Sequence, residues 1–312
     1  MENDIKLIQE TFNVEITGKL DFLTMSAIKN FQWKNNLPPT GLLDELTKSV
    51  FFEKNPSIIS TKPTIYSDKS VEFTTDLMEV HMNPIVKEYM LDKDEFLTYT
   101  DTNTTIPYIF IHHTSGWNNP IATVKDWNND TRGRIGTRYV IGGINLSSND
   151  SQYDGMIIKC MPDNGWAYHL GGTNQGVNQE MHKYSIGIEL CNFGYLIRKN
   201  GKFLTYTGTV VDSKYVVELN TPFNGYTHWH KYSEKQMESL KYLLGALCVK
   251  YNINKKNGLV NRINTLGINN AFSYSKECAA GKVGGILSHT NVRVDKTDVC
   301  PQPLLVDMLI NL

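Results

Sequence analysis

Residues 106–114 read Ile106-Pro107-Tyr108-Ile109-Phe110-Ile111-His112-His113-Thr114. A run of β-branched and aromatic residues, entered through a proline and left through polar side chains, predicts a short buried strand. Arg138-Tyr139-Val140-Ile141 and Ile186-Gly187-Ile188-Glu189-Leu190 have the same character. Further along the period changes from strand to helix. Between Ser233 and Tyr251, the side chains of Leu240, Leu244, Leu247 and Tyr251 fall on one stripe. Ser233 is placed to cap that helix, and Gln236 three residues on suits a capping box. Strands alternating with helices predict an α/β domain, a central mixed β-sheet flanked by helices, over residues 106–312.

Before this domain the sequence has another texture. Thr17-Gly18-Lys19-Leu20-Asp21-Phe22-Leu23-Thr24 returns as Thr40-Gly41-Leu42-Leu43-Asp44-Glu45-Leu46-Thr47. Thr-Gly suits a turn, and Asp21 and Asp44 can each cap the helix that follows. Met25, Ile28 and Phe31 share one helical face, a first helix runs from about Ile5 to Thr11, and Pro38-Pro39 closes the connecting segment. Residues 1–53 therefore read as a small all-α module. Residues 54–105 form a linker and lead-in, marked by Pro56, Pro63 and Pro84, with a helix expected over Val80–Leu91.

The 312 residues, 40% hydrophobic and 20% charged, have room for about two domains with real cores. A formal charge of −1 without a Lys/Arg block argues against nucleic acid or an anionic membrane as partner. No apolar run reaches the length of a membrane span. The opening Met1-Glu2-Asn3-Asp4-Ile5-Lys6 lacks the basic-then-apolar order of a secretory signal. Five irregularly spaced cysteines do not suggest a disulfide framework.

His112 stands where the first strand ends, the usual edge for a site in an α/β domain. His289 and Cys300 lie close together near the C-terminus, in what reads as an irregular loop. Two imidazoles and one thiolate make a donor set that suits zinc, and three protein ligands leave a position open for water. His228-Trp229-His230 also alternates histidines, but reads as a loop before the capped helix.

The surrounding motifs occur in a fixed order: Ile109-Phe110-Ile111-His112-His113-Thr114, Ala167-Tyr168-His169-Leu170-Gly171, Ser185-Ile186-Gly187-Ile188-Glu189-Leu190, Ser288-His289-Thr290-Asn291-Val292, and Cys300-Pro301. Together they resemble the zinc-dependent N-acetylmuramoyl-L-alanine amidase family. Thr17 to Gln32, followed by Asn36-Leu37-Pro38 and Thr40-Gly41, resembles the peptidoglycan-binding domain of cell-wall hydrolases.

The resemblance implies one zinc ion held by His112, His289 and a third ligand that precedes a proline. Cys300 before Pro301 fits that place. Asp298, in Lys296-Thr297-Asp298, is the rival, since other members use aspartate. His113 is then a neighbour whose ring points elsewhere. Glu189 matches the general base and His169 a groove histidine near the metal. The oxyanion-stabilising residue usually stands two positions before the third ligand. Counting from Cys300 that position is Asp298, a poor electrophile; Lys296, the candidate taken, or Thr297 could replace it if the loop shifts, which leaves the stabilising residue open. Thr137 stands where many members carry a tyrosine.

The implied activity is hydrolysis of the amide between N-acetylmuramic acid and L-alanine in bacterial peptidoglycan. The organisation implies a phage endolysin, made in the host cytoplasm and reaching the wall through a separate pore-forming protein. The alternative is a peptidoglycan-recognition protein without catalysis. A cysteine nucleophile with His289 or His169 as base is a third possibility, and no cysteine-protease signature surrounds any cysteine.

Overall fold

The computed structural model describes residues 2–312 apart from 13, 15, 21, 36, 38–40, 56–83, 85, 102–103, 147–150 and 172–176. The expected cap at Asp21, the Pro38-Pro39 stop, Pro56 and Pro63 lie outside the described residues. The chain divides into two compact units, residues 1–83 and 84–312.

The first unit contains α1 (Glu2–Thr11), α2 (Phe22–Lys34) and α3 (Glu45–Lys54). Asp44 caps α3 by accepting from the Thr47 amide at 2.7 Å. The sequence repeat is also a repeat of hydrogen bonds. Buried Gln9 accepts from the Gly18 amide, nine residues on, and donates to Thr24 Oγ1, fifteen on, and to the Lys19 carbonyl. Buried Gln32 does the same with the Gly41 amide, Thr47 Oγ1 and the Leu42 carbonyl. Each glutamine thus ties the backbone at a glycine, Gly18 or Gly41, to the helix that follows it. Ile8, Ile28 and Phe51 form the core. The rings of Phe12, Phe31 and Phe51 meet pairwise at 5.5–5.7 Å.

The second unit is built on a six-stranded sheet. Its strands are β1 (Val86–Glu88), β3 (Tyr108–His113), β4 (Tyr139–Ile141), β5 (Ile157–Lys159), β7 (Ser185–Leu190) and β13 (Gly285–Ser288), in the order β1-β5-β4-β7-β3-β13. All neighbours are parallel except β4 and β5, so the sheet is mixed. A two-stranded ribbon pairs β2 (Leu97–Thr98) with β6 (Gly165–Trp166). The helix expected over Val80–Leu91 does not form in its described part: β1 occupies Val86–Glu88. All three residues of β1 are exposed, so no apolar pattern marks it.

Because a strand alternates its side chains, β3 sends Ile109 and Ile111 to one face and Phe110 and His112 to the other. The first face joins Ile186, Ile188 and Leu190 in the main core. That core is covered by α6 (Glu234–Lys250), α7 (Leu259–Leu266) and α11 (Pro303–Ile310). Leu240, Leu244 and Leu247 of α6 are buried as their spacing predicts, while Tyr251 is partly exposed. Ser233 caps α6 through the Gln236 amide. The reciprocal half of the box is not made. Gln236 instead turns its side-chain amide to the carbonyls of Ile141, Gly142 and Cys191, where the strands run out.

The second face carries two smaller cores. One lies under α4 (Pro120–Asn128) and includes Val124, Val140 and Ile158. The other gathers Phe110, Leu170, Met181, Leu287 and Val292 beneath α5 (Glu180–Lys183), α9 (Lys276–Ala279) and α10 (His289–Val292). Helix α8 (Ile268–Phe272) packs beside α7. Between β7 and α6 the chain inserts a three-stranded sheet, β8 (Ile197–Lys199), β9 (Lys202–Leu204) and β10 (Val210–Val211), and a hairpin of β11 (Val216–Phe223) and β12 (Tyr226–His230). His228-Trp229-His230 is therefore a strand, not a loop, and Trp229 is fully buried.

Candidate active site

The sheet register assembles the site. On neighbouring parallel strands Ser288 pairs with Ile111 and Ile111 with Ile188. One residue further along, His289, His112 and Glu189 stand in a row at the carboxyl ends of β13, β3 and β7, with His112 directly opposite Glu189. This edge is where ligands bind in open α/β sheets. The row lies in the gap between the two smaller cores, in a cleft of about 330 Å³ that also exposes His169, Lys296 and Thr297. His113, one residue along β3, points the other way and packs near Trp229 and the Tyr232 hydroxyl.

Asp298 joins the two histidines. His112 Nδ1 lies 3.0 Å from His289 Nδ1, His289 Nδ1 lies 2.9 Å from Asp298 Oδ2, and His112 Nδ1 lies 3.3 Å from the same oxygen. Among the described residues this is the one group of three His, Cys, Asp or Glu side chains whose donor atoms converge in this way.

Cys300, the expected third ligand, does not reach the histidines. Two residues past Asp298 the chain has turned into the main core, where Cys300 is fully buried. Burial pushes its thiol up to about 12, with Gln302 and Tyr232 as hydrogen-bond partners. Its sulfur is not part of the group of donor atoms that converge at the cleft. The Thr290 amide donates to the Asp298 carbonyl at 3.0 Å, which fastens Asp298 against the start of α10, beside His289.

Hydrogen positions follow from the partners. His289 Nε2 faces the Leu170 carbonyl at 3.1 Å. A carbonyl only accepts, so Nε2 carries a proton, and whenever the ring is neutral Nδ1 presents its lone pair. Burial, followed by the neighbouring His289, lowers His112 to about 4, so it is neutral at pH 7. Burial opposes the Asp298 charge, but the charge and hydrogen bonds that His289 and His112 supply while an Nδ1 carries a proton hold the carboxyl well below the usual range. Burial and then the Asp298 charge push Glu189 well above an ordinary glutamate, with Lys296 opposing. Burial, then the surrounding imidazoles, hold His169 neutral.

A carboxylate and imidazole lone pairs converging on one point repel one another unless a cation lies between them. A tetrahedral ion with bonds of about 2.0–2.1 Å sets its ligand atoms about 3.3–3.4 Å apart, close to the triangle seen here. Two imidazoles and a carboxylate are a donor set that zinc accepts. The residues present therefore fit a zinc ion.

Sequence reasoning weighed Asp298 second and passed over Ser185 and His182. Ser185 accepts from His169, and His182 Nδ1 accepts the amides of His169 and Leu170 at 3.1 and 3.2 Å. The signal for Ser185 was present: at period two, Ser185, Gly187 and Glu189 share a strand face. Gly187 has no side chain for a reason. A Cβ there would sit 2.7 Å from Thr137 Cγ2 and 3.1 Å from His169 Nδ1.

A half-buried acid beside a convergent imidazole–carboxylate cluster, at the carboxyl edge of an α/β sheet, is an arrangement suited to hydrolysis. The sequence profile described as N-acetylmuramoyl-L-alanine amidase matches residues 102–303, and the chain belongs to that family. It hydrolyses the amide between N-acetylmuramic acid and L-alanine in peptidoglycan. A second profile, a putative peptidoglycan binding domain, matches residues 2–50. No curated protein sequence matches the chain. Among solved structures, an endolysin amidase from Clostridium intestinale shares 16% identity, covering 70% of this chain and 88% of its own, with a TM-score of 0.33. A mutant endolysin from Bacillus subtilis shares 15%, covering 73% and 97%, with a TM-score of 0.37. The Ph2119 endolysin, from a bacteriophage of Thermus scotoductus, shares 13%, covering 72% and 98%, with a TM-score of 0.36.

Proposed function

We propose that the amidase depends on one zinc ion, held by His112 Nδ1, His289 Nδ1 and Asp298 Oδ2, with Glu189 as general base. The observation that carries this reading is the triangle of three acceptor atoms directly beside the Glu189 carboxyl. A zinc ion there would polarise the scissile carbonyl and lower the pKa of a water toward about 7.

The protein's own groups supply the rest. Glu189 takes a proton from the attacking water on one carboxylate oxygen and delivers it to the leaving nitrogen of L-alanine. Burial raises its pKa, and a positive charge at the triangle would lower it again. Lys296 lies in the same cleft. It stands two residues before Asp298, so with Asp298 as third ligand the spacing expected for the oxyanion-stabilising residue falls on Lys296. The difficulty met when counting from Cys300 disappears.

The organism-level reading is lysis of a bacterial host by a phage endolysin, with a separate pore-forming protein giving access to the wall. The pairing of a wall-binding profile with an amidase profile supports it. No helix among the described residues is long and apolar enough to cross a membrane. Expression inside bacteria should lyse cells only when a pore-forming protein is co-expressed. Lysis without one would remove the need for that partner.

The site itself is tested by metal analysis and product analysis together. Purified protein should hold one zinc per chain, and EDTA should abolish wall digestion. Asp298→Asn should lose zinc and activity, while Cys300→Ser should keep both. Retention of zinc by Asp298→Asn and its loss from Cys300→Ser would restore Cys300 as the ligand. Mass spectrometry should find a free lactyl carboxylate on muramic acid, whereas a new reducing sugar end would refute amide cleavage.

A further inference from the structure

Three hydrogen bonds lead away from His112 on the side opposite the ligand triangle. Ser185 Oγ bonds the Met181 carbonyl. His169 Nε2 lies 2.8 Å from Ser185 Oγ, and His169 Nδ1 lies 3.0 Å from His112 Nε2. Their polarity can be read outward from the carbonyl, which only accepts. Ser185 spends its one hydroxyl proton on Met181, so toward His169 its oxygen accepts. His169 Nε2 must then carry the proton of the neutral ring, leaving Nδ1 as an acceptor. His112 Nε2 donates to that acceptor, and His112 Nδ1 is left bare.

We propose that Ser185 and His169 form a proton-ordering relay that holds His112 in the tautomer whose Nδ1 lone pair faces the ligand triangle. This rests on the zinc reading above for its purpose, but not for its hydrogen-bond order. His169 is a positioning residue here: it acts through His112.

The second histidine ligand is ordered from the same segment. Leu170, next to His169, supplies the carbonyl that takes the His289 Nε2 proton. His182 Nδ1, on α5, accepts the amides of both His169 and Leu170. Met181, the end of the relay, is its neighbour on α5. One short helix therefore anchors the orientation of both imidazoles. Such outer partners of metal-bound histidines fix the tautomer and typically change metal affinity about 10–100-fold when removed.

The test uses the full chain labelled with 15N-histidine. In metal-free protein near pH 7.5, two-bond 1H–15N spectra, assigned with His112→Gln, should show a proton on His112 Nε2. That proton should lose its fixed place in Ser185→Ala and in His169→Leu. Zinc affinity, measured by competition with a chromophoric chelator, should weaken about 10–100-fold in both variants. His169→Gln, whose side-chain carbonyl can still accept from His112 Nε2, should recover most of the loss. Each variant is first checked for cooperative thermal unfolding, and Ser185→Ala serves where His169→Leu does not fold. A bare Nε2 on His112 in the wild type overturns the relay. So does a His169→Leu variant that binds zinc as tightly as wild type while losing turnover, because His169 would then act on substrate. A wild type with the expected proton but no zinc uptake supports the relay and overturns the ligand assignment instead.

Discussion

At the scale of single residues, the environments of the two carboxyl groups in the cleft push their pKa values apart. Asp298 is held well below the usual carboxylate range by the charge and hydrogen bonds that His289 and His112 supply when an Nδ1 is protonated, whereas Glu189, half-buried in the same cleft, has only Lys296 to favour its ionised form. Glu189→Gln should retain zinc and fold normally, yet lose roughly 10²–10⁴ in kcat, the usual worth of a positioned acid–base. Turnover within a few-fold of wild type would remove Glu189 as the base. Away from the cleft, burial lowers His113 and His182 to about 4 and His230 to about 3. In the unfolded chain such groups titrate near 6.5. Below that value the unfolded state binds more protons, so folding stability is complete above it and falls as pH drops toward 4. Each group contributes up to about 1.4 kcal/mol per pH unit to this slope. Urea unfolding in EDTA between pH 4.5 and 7.5 should show it. His230→Asn, which can still accept the Phe193 amide now bonded to His230 Nδ1, should flatten the slope by about one proton. An unchanged slope would mean that His230 is not neutral in the folded state.

At the scale of elements, legibility followed burial. β3, β4, β7 and α6 were visible because a strand buried on both faces is continuously apolar and an amphipathic helix has a period. β1 was misread because its three residues are exposed and its place is set by pairing with β5, a tertiary fact. The insertion of β8 to β12 carries no such run and was not foreseen. The same division runs through the site. His112 could be found because it stands at the end of a legible strand, and Glu189 and His289 because ordered family motifs surround them. The choice between Asp298 and Cys300 could not, since they lie two residues apart on an irregular loop whose path decides which one turns inward. Packing predictions follow the legible elements. Leu244→Ala, at a position of α6 with no exposed surface, should cost about 2–5 kcal/mol in urea unfolding. In the first unit, Gln32→Leu would strand the Gly41 amide, the Leu42 carbonyl and the Thr47 hydroxyl, and should destabilise that unit by about 1–3 kcal/mol per group left unpaired. Hydrogen exchange, read separately for residues 2–55 and 84–312, should confine the second effect to the first unit. Equal loss of protection in both would show that the units unfold together.

At the scale of the whole molecule, the question is what a wall-binding profile adds to an enzyme whose site is complete without it. Every residue proposed as zinc ligand, base or relay lies in residues 84–312. Removing residues 1–55 should therefore leave zinc content unchanged, along with turnover of a small soluble muramoyl-peptide. A polymer is a different substrate. Once the first unit holds the wall, the scissile bonds nearby are presented at an effective concentration set by the tether, and apparent affinity rises without any new contact at the site. Such coupling is commonly worth about 10²–10⁴, but a wall offers many equivalent bonds, which dilutes the advantage. A loss of roughly tenfold or more in wall clearing at low enzyme concentration is expected on truncation, shrinking as enzyme is raised. Pull-down on purified walls, wall turbidity and soluble-substrate kinetics measured on the same two proteins separate the cases. If soluble turnover falls in step with wall clearing, residues 1–55 support the catalytic fold itself. If neither changes, the module does not bind this wall.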